Sequence, residues 1–509
     1  VGFKAEHPAD RLRFGVPIGL GLLGFVPFLL GLAGLLNTGW LLGTLGLVAG
    51  LTASAARLAL GDLWALFIGL RRFESPVRNW LLGVIYTVLG LACLTLALTP
   101  PIGYDDLWYH LEGPRLFLKA GRIYPEPYNW PANYAFAGYM LYAFPLTLGN
   151  DTVPRLLHGT FGLAVLAGGY AIGRVYSPRL AWLVPVAMLT AGQFVFVGTQ
   201  AATDFAVACF ELLGLELVVR HVNGGWRLNL LLLGLCLGLG LATKATAAAG
   251  AVGVGGVLGL YLGLRAVLGR LRSPPFSAAE LLAALAVGVA VAAPWYTRNW
   301  AWFGHPLFPY GGTAPDQDMG LRMQLLTEYV TDGYGLPRTA LGLVQLPVAL
   351  FAAANRFGLI LPPVALIVLA PFALFLARQP PLELLGFLAL RTDIWFFSSQ
   401  QIRFLVPTLV IVGVLLVGAV GRANPSRLRR VAGRAAVWST VALAAYVVLA
   451  YGRFTILSEQ WSVIVGYESK ESYLNRMLPG FRALTFIGSL PPGSRVLLVG
   501  DARHYYCPA

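Results

Sequence analysis

Six ionisable residues lie beside apolar segments that are far apart in this chain: Asp105, Asp106, Asp204, Lys244, Arg298 and Arg403. A charge near the hydrocarbon centre of a bilayer costs roughly 2.5–3.5 kcal/mol on insertion scales. Three acids and three bases kept at such positions point to a site. Asp105 and Asp106 are adjacent, and adjacent carboxylates at a membrane edge repel one another and lose water, which makes one a better proton acceptor. The other reading of Asp105-Asp106 is plain helix capping. His110 follows Asp106 by four residues, on the same side of a helix, and is a candidate substrate contact.

Asp204 opens an apolar run, where it either joins the site or complements a helix dipole. Lys244 stands in Gly240-Leu-Ala-Thr-Lys244, which superficially resembles a phosphate-binding loop. That likeness fails, because Thr243 occupies a position that needs glycine and no strand precedes it. Lys244 therefore reads as a phosphate contact or as a lysine reaching a lipid headgroup. Arg298 sits in the aromatic stretch Pro294-Trp-Tyr-Thr-Arg298-Asn-Trp, and Arg403 in Gln401-Ile-Arg403-Phe-Leu-Val-Pro407. An arginine fork at either place can anchor a helix or grip a phosphate.

The elements that must position these groups are membrane helices. Hydrophobic residues make up 57% of the 509, charged ones only 12%, and the mean hydropathy is +0.69. Apolar runs of about 18–22 residues recur, each long enough to cross a core of about 30 Å. The net charge of +14 is spread over short clusters such as Arg71-Arg72 and Arg427, Arg429, Arg430 with Arg434. These are the marks of cytoplasmic loops facing anionic lipid, and they argue against a nucleic-acid partner. The four cysteines lack metal-ligand spacing.

About thirteen spans are expected, near 14–36, 39–59, 80–99, 153–172, 180–198, 203–220, 228–243, 246–264, 278–295, 357–377, 382–397, 404–420 and 435–451. The first is longer than a signal-peptide core. Residues 1–79 form two N-terminal spans and a basic connection, and residues 80–451 form a core with outer loops at 102–150 and 296–340. Residues 452–509 form an outer tail, with a helix near 472–485 and a strand at 495–499 that would begin a small α/β domain. With this threading all six charged residues emerge on the outer side. Arg391 and Asp393 interrupt the span at 382–397, either as a pair two residues apart or as a sign of a re-entrant segment.

Taken in order, these motifs resemble the GT-C superfamily of polytopic glycosyltransferases. The nearest branch is the bacterial one related to protein O-mannosyltransferases and lipid A aminoarabinose transferases (family 39). The residues that carry the resemblance are Tyr104-Asp-Asp-Leu-Trp-Tyr-His110, Leu118-Lys-Ala-Gly-Arg-Ile123, Asn129-Trp-Pro-Ala-Asn133, Thr203-Asp204, Leu241-Ala-Thr-Lys244, Pro294-Trp-Tyr-Thr-Arg-Asn299 and Gln401–Pro407. The resemblance implies an all-α polytopic bundle in a bacterial inner membrane, with surface helices on its outer face. It implies transfer of a sugar from a polyprenyl-phosphate carrier to a hydroxyl of a protein, lipid or polysaccharide acceptor, with inversion. Asp105 would be the base, and Asp106 and Asp204 would orient the acceptor or, with Asp105, hold a divalent metal. Lys244, Arg298 and Arg403 would grip the departing phosphate.

The chain also departs from that pattern. Two extra spans precede the core, and Asn129-Trp-Pro-Ala replaces the Glu-Lys-Pro-Pro run of the aminoarabinose transferases, which leaves Glu126 to supply the second acid. Two other classes stay open: a secondary transporter, which would usually show an internal repeat, and a non-catalytic subunit of a membrane complex.

Overall fold

The computed structural model describes residues 7–69, 76–224 except 127 and 136, 228–268, 276–308, 332–358, 381–421 and 427–507 except 458, 492, 499 and 500, with five more between 321 and 329. Among the described residues the regular structure is helical throughout. Five helices are long and apolar enough to cross a bilayer: Pro8–Leu32, Val153–Tyr176, Ala245–Val267, Ala278–Phe303 and Ile402–Gly421. A sixth is added if Thr38–Leu51 and Ala53–Leu66, bent by 69°, count as one span. The other expected spans are shorter helices, broken ones such as Leu183–Leu189 with Gly192–Gly198, or helices less uniformly apolar. The one at 357–377 lies outside the described residues.

The chain forms two compact units. The first comprises Val1–Ile18, Phe161–Val197 and Asp204–Val448. At its centre runs the helix Asp204–Val222, every residue of which is buried from Asp204 to Val219. An all-round buried helix with three carboxylates must find a cation for each, and it does. Asp204 meets Lys244 at 2.9 Å, Glu211 meets Arg391 at 2.9 Å, and Glu216 meets both Arg13 and, at 2.7 Å, Arg220. Gly250 makes room for the second pair, since a Cβ there would overlap the Glu211 side chain. Arg391 therefore pairs across the fold and not with Asp393, which is exposed, and Leu382–Phe397 is one continuous helix with no re-entrant break.

Small residues set the approach of neighbouring helices. Leu230–Thr243, capped by Asn229, packs on Ala278–Phe303, whose start carries a reciprocal Ser277–Glu280 capping box. A Cβ on Gly234 would stand 2.1 Å from the Ala284 carbonyl oxygen, and one on Gly238 2.6 Å from that of Gly288. Such backbone-to-backbone contact is how membrane helices gain packing without a hydrophobic drive.

The second unit comprises Gly19–Thr160, Gly198–Thr203 and Leu449–Ala509. It holds the loop expected over 102–150, which contains the helices Glu112–Ala120, Ala137–Met140 and Ala143–Leu146 around buried Leu111, Phe117, Tyr139 and Tyr142. Gly121, at φ +65°, ends the first of these. Buried Arg155 donates to the carbonyls of Leu96, Thr99 and, at 2.8 Å, Thr199, thus satisfying chain ends that would lack partners. The tail differs from expectation. Its helix is two, Lys470–Met477 and Phe481–Ile487, split where Gly480 turns at φ +84°. Of the strand expected at 495–499, residues 495–498 have no regular structure and 499 lies outside the described residues. An isolated strand has no ladder to satisfy its backbone groups.

Two stability outcomes follow. Gly234→Val is expected to cost about 1–3 kcal/mol through overpacking, and a wild-type thermal midpoint in detergent would contradict the helix contact. Glu211→Ala, which leaves Arg391 buried without its carboxylate, is expected to cost about 3–5 kcal/mol in chemical unfolding, while the double change Glu211→Leu with Arg391→Met recovers most of it.

Candidate active site

The acidic pair lies in the second unit, on a wide turn. Leu107 N donates to Gly103 O at 3.1 Å, and Leu111 N to Asp106 O at 3.0 Å, five residues back. Residues Asp106–His110 thus form one π-helical turn before Glu112–Ala120 begins. Such turns accommodate an extra residue and are frequent at functional sites. Gly103 is needed here, because a Cβ on it would lie 2.9 Å from the Asp106 carboxylate. Asp106 is only 2% exposed, whereas Asp105 is half-buried. The Asp105 side chain makes no capping hydrogen bond to the turn, so capping does not account for it.

His110 is fully buried, its ring tilted against those of Tyr109 at 4.1 Å and Tyr139 at 4.3 Å. Tyr109 is buried as well. Tyr139 in turn accepts a hydrogen bond from Thr203 Oγ1 at 3.0 Å. The aromatic packing continues through Trp108, edge-on to Trp130 at 5.9 Å. The Trp108 carbonyl accepts from Asn129 Nδ2 at 2.5 Å. Glu126, the candidate second acid of this loop, is buried, and its carboxylate accepts from the backbone of Tyr128 at 2.9 Å and Asn129 at 3.3 Å. It shapes the loop.

The cations lie in the first unit with Asp204. Lys244 ends the helix Leu230–Thr243 in an extended conformation (φ −163°, ψ 140°), which turns its side chain out of the helical path towards Asp204 at the start of the central helix. Its Nζ also lies 4.5 Å from the centre of the Phe404 ring, and Arg403 Cζ lies 5.1 Å from that same centre. One phenyl ring thus serves two cations, an arrangement its negative face favours. Arg391, held by Glu211, donates from Nη2 to Phe404 O at 2.7 Å and fixes the short turn Ile402–Leu405 that carries Arg403.

Arg298 was expected in an outer loop. It lies instead inside the helix Ala278–Phe303, which continues through Pro294 to its end at Gly304 (φ +70°). Trp295 and Trp302, three residues before and four after, bracket its guanidinium at 5.0 and 4.9 Å. Asn299 Oδ1 accepts from Arg298 Nη2 at 2.6 Å. Tyr296 Oη, on the same helix, donates to Leu241 O at 2.8 Å, which ties this stretch to the one that carries Lys244.

Glu211 and Arg391 are the residues whose partnership the sequence reading missed. Glu211 is seven residues beyond Asp204, on the same helix face, and a carboxylate inside an apolar run was itself the available signal. Among the described residues, no three His, Cys, Asp or Glu side chains gather as metal ligands would. The Asp204 carboxylate is engaged by Lys244, whose charge opposes a metal at that oxygen. This donor set does not fit a divalent ion.

No protein-family model matches the sequence, and no curated protein does. The fold, however, is similar to that of a solved polytopic membrane protein. The crystal structure of ArnT from Cupriavidus metallidurans bound to undecaprenyl phosphate superimposes with a TM-score of 0.51, at 15% identity over 84% of each chain. The apo state of the same ArnT gives 0.52, at 15% identity over 85% of each chain. At this identity the likeness speaks for the fold alone, and it is the multi-pass helical fold that the order of the motifs implies.

Proposed function

We propose that this chain is a membrane glycosyltransferase that moves a sugar from a polyprenyl-phosphate carrier to an acceptor hydroxyl on the extracytoplasmic face. The observation that carries this reading is the likeness in fold to an ArnT solved with undecaprenyl phosphate bound. The charged residues supply chemistry suited to that reaction. Asp105, half-buried on its π turn, is the base: it takes the proton of the acceptor hydroxyl as that oxygen attacks the anomeric carbon. The bond from the anomeric carbon to the phosphate oxygen breaks on the opposite face, so the sugar is inverted and the polyprenyl phosphate leaves as an anion.

Lys244, Arg298 and Arg403 stabilise that developing charge. Cations fixed in advance, away from bulk water, do so without reorganising during the reaction. Their fixation is supported by the Trp295–Trp302 bracket, the Phe404 ring and the Glu211–Arg391 pair. Asp204 holds Lys244 in place until phosphate competes for it. Asp106 and His110 orient the turn. Membrane lipid and the lipid-linked sugar are the partners this scheme needs, and the hydroxyl acceptor is a protein, lipid or polysaccharide.

The test is release of polyprenyl phosphate from a polyprenyl-phosphate sugar by the protein in nanodiscs. Asp105→Asn should lower turnover by about 10²–10⁴-fold, the range of general-base contributions, with little change in donor KM. Arg403→Lys, which keeps the charge and loses the fork, should raise donor KM. Full activity of Asp105→Asn, or no transfer by the wild type from any such donor, would defeat the reading in favour of a transporter or a non-catalytic subunit.

A further inference from the structure

The tail is not merely appended to the second unit. Its last residues, Asp501–Cys507, return to the acidic turn and touch it repeatedly. Tyr506 Oη donates to Pro101 O at 3.0 Å, just before the turn. The backbone N–H of Tyr505 donates to Leu107 O at 3.2 Å, inside it. The Arg503 guanidinium lies 5.6 Å from the centre of the Tyr104 ring and is held flat by Asp501, with Nη2–Oδ2 at 2.6 Å and Nε–Oδ1 at 2.9 Å. After the turn, Arg115 lies over the Tyr505 ring at 5.2 Å while its own fork is bound to Glu112. These contacts fall at residues 101, 104, 107 and 115, on both sides of Asp105 and Asp106.

Beneath the turn lies a shared apolar core. Leu107 is packed with Tyr473, Leu474, Leu478 and Phe481 of the two tail helices, with Tyr505 and Tyr506 against them. The Tyr506 ring meets Phe481 edge-on at 5.7 Å. Burial drives the Tyr506 phenol well above its ordinary range, with the negative charges of Asp151 and Asp106 among the groups that add to it, so the hydroxyl stays a donor to Pro101.

We propose that Asp501–Cys507 is a latch whose residues Arg503, Tyr505 and Tyr506 position the Asp105–Asp106 turn for catalysis. These are positioning residues, which act on substrate only through the turn. A π turn has few backbone hydrogen bonds of its own, so its shape depends on what braces it. In this case the braces come from residues some 400 positions later in the chain. The role in catalysis rests on the function proposed above; the bracing itself does not.

The experiment compares full-length wild type with Tyr506→Phe, Tyr506→Ala and Arg503→Gln in nanodiscs, by hydrogen exchange and by transfer assay. Tyr506→Phe keeps the ring packing and removes only the hydrogen bond to Pro101. Loss of one such bond should speed exchange over residues 103–111 about fivefold. Tyr506→Ala should exceed that, and the helix Lys470–Met477 should exchange at the wild-type rate in Tyr506→Phe and Arg503→Gln. In the assay kcat should fall while donor KM stays constant, with Tyr506→Phe losing less than Tyr506→Ala.

Wild-type exchange over 103–111 in all three variants overturns the latch, whatever the assay reads. Faster exchange with unchanged kcat overturns its positioning role. A wild type that transfers nothing defeats the functional reading instead, and the exchange rates then decide the bracing alone.

Discussion

The constraint on which the first unit depends is that a helix buried on every side carries three carboxylates. The effective penalty for burying one ion is several kcal/mol even after the protein relaxes, and it is offset only by a well-placed opposite charge. Asp204, Glu211 and Glu216 therefore dictate which helices can lie against Asp204–Val222, and at what height. Lys244 must arrive at the end of one helix, Arg391 in the middle of another, and Arg13 near the start of the chain. A shift of any of these helices by one turn, about 5.4 Å, would strand a charge. The register of the bundle is thus set electrostatically, while the small-residue seams at Gly234, Gly238 and Gly250 set how close the helices come.

The same constraint places the cations. Arg391 is bound on one side by Glu211 and on the other by the carbonyl of Phe404, so the ring of Phe404 and the adjacent Arg403 inherit their position from a buried ion pair. Lys244 is set by Asp204 and meets the same ring. An arginine fork, a lysine and a second arginine clamped between two indoles are chemically different cations, and in the proposed reaction they would meet the phosphate in different ways. The Trp295 and Trp302 rings, 5.0 and 4.9 Å from the Arg298 guanidinium, partly replace water around it.

How much of this could be read from the sequence depended on how local the cause was. The helical periodicity was legible because neighbours in the chain determine it. Pro294 was misleading: it reads as the end of a span, yet a proline within a membrane helix is tolerated where neighbouring helices satisfy the freed carbonyl, and Arg298 is helical as a result. The partner of Arg391 was not legible. A charge inside an apolar run announces that a partner exists, but Glu211 lies 180 residues away. Nothing in either segment names the other. The strand expected at 495–499 is not formed over its described residues 495–498 for a related reason, since an apolar run becomes a strand only if another strand is there to pair with it. The π turn was invisible too, because its spacing of apolar residues is also compatible with an ordinary helical start.

The two sets of charged residues are held by forces of different strength, and that difference has chemical sense. Lys244 rests on a buried ion pair with Asp204, and Arg403 on a turn braced by the pair Glu211–Arg391, so both are held by contacts whose removal would endanger the fold, as the proposed stabilisation of a leaving anion requires. The acidic turn rests on single hydrogen bonds and ring contacts, each worth about 0.5–1.5 kcal/mol. Changes to it can alter the placement of a carboxylate without unfolding the protein. In the proposed reaction the costly interactions thus underlie the groups assigned to the lipid phosphate, and the cheaper ones underlie the turn that carries the proposed base.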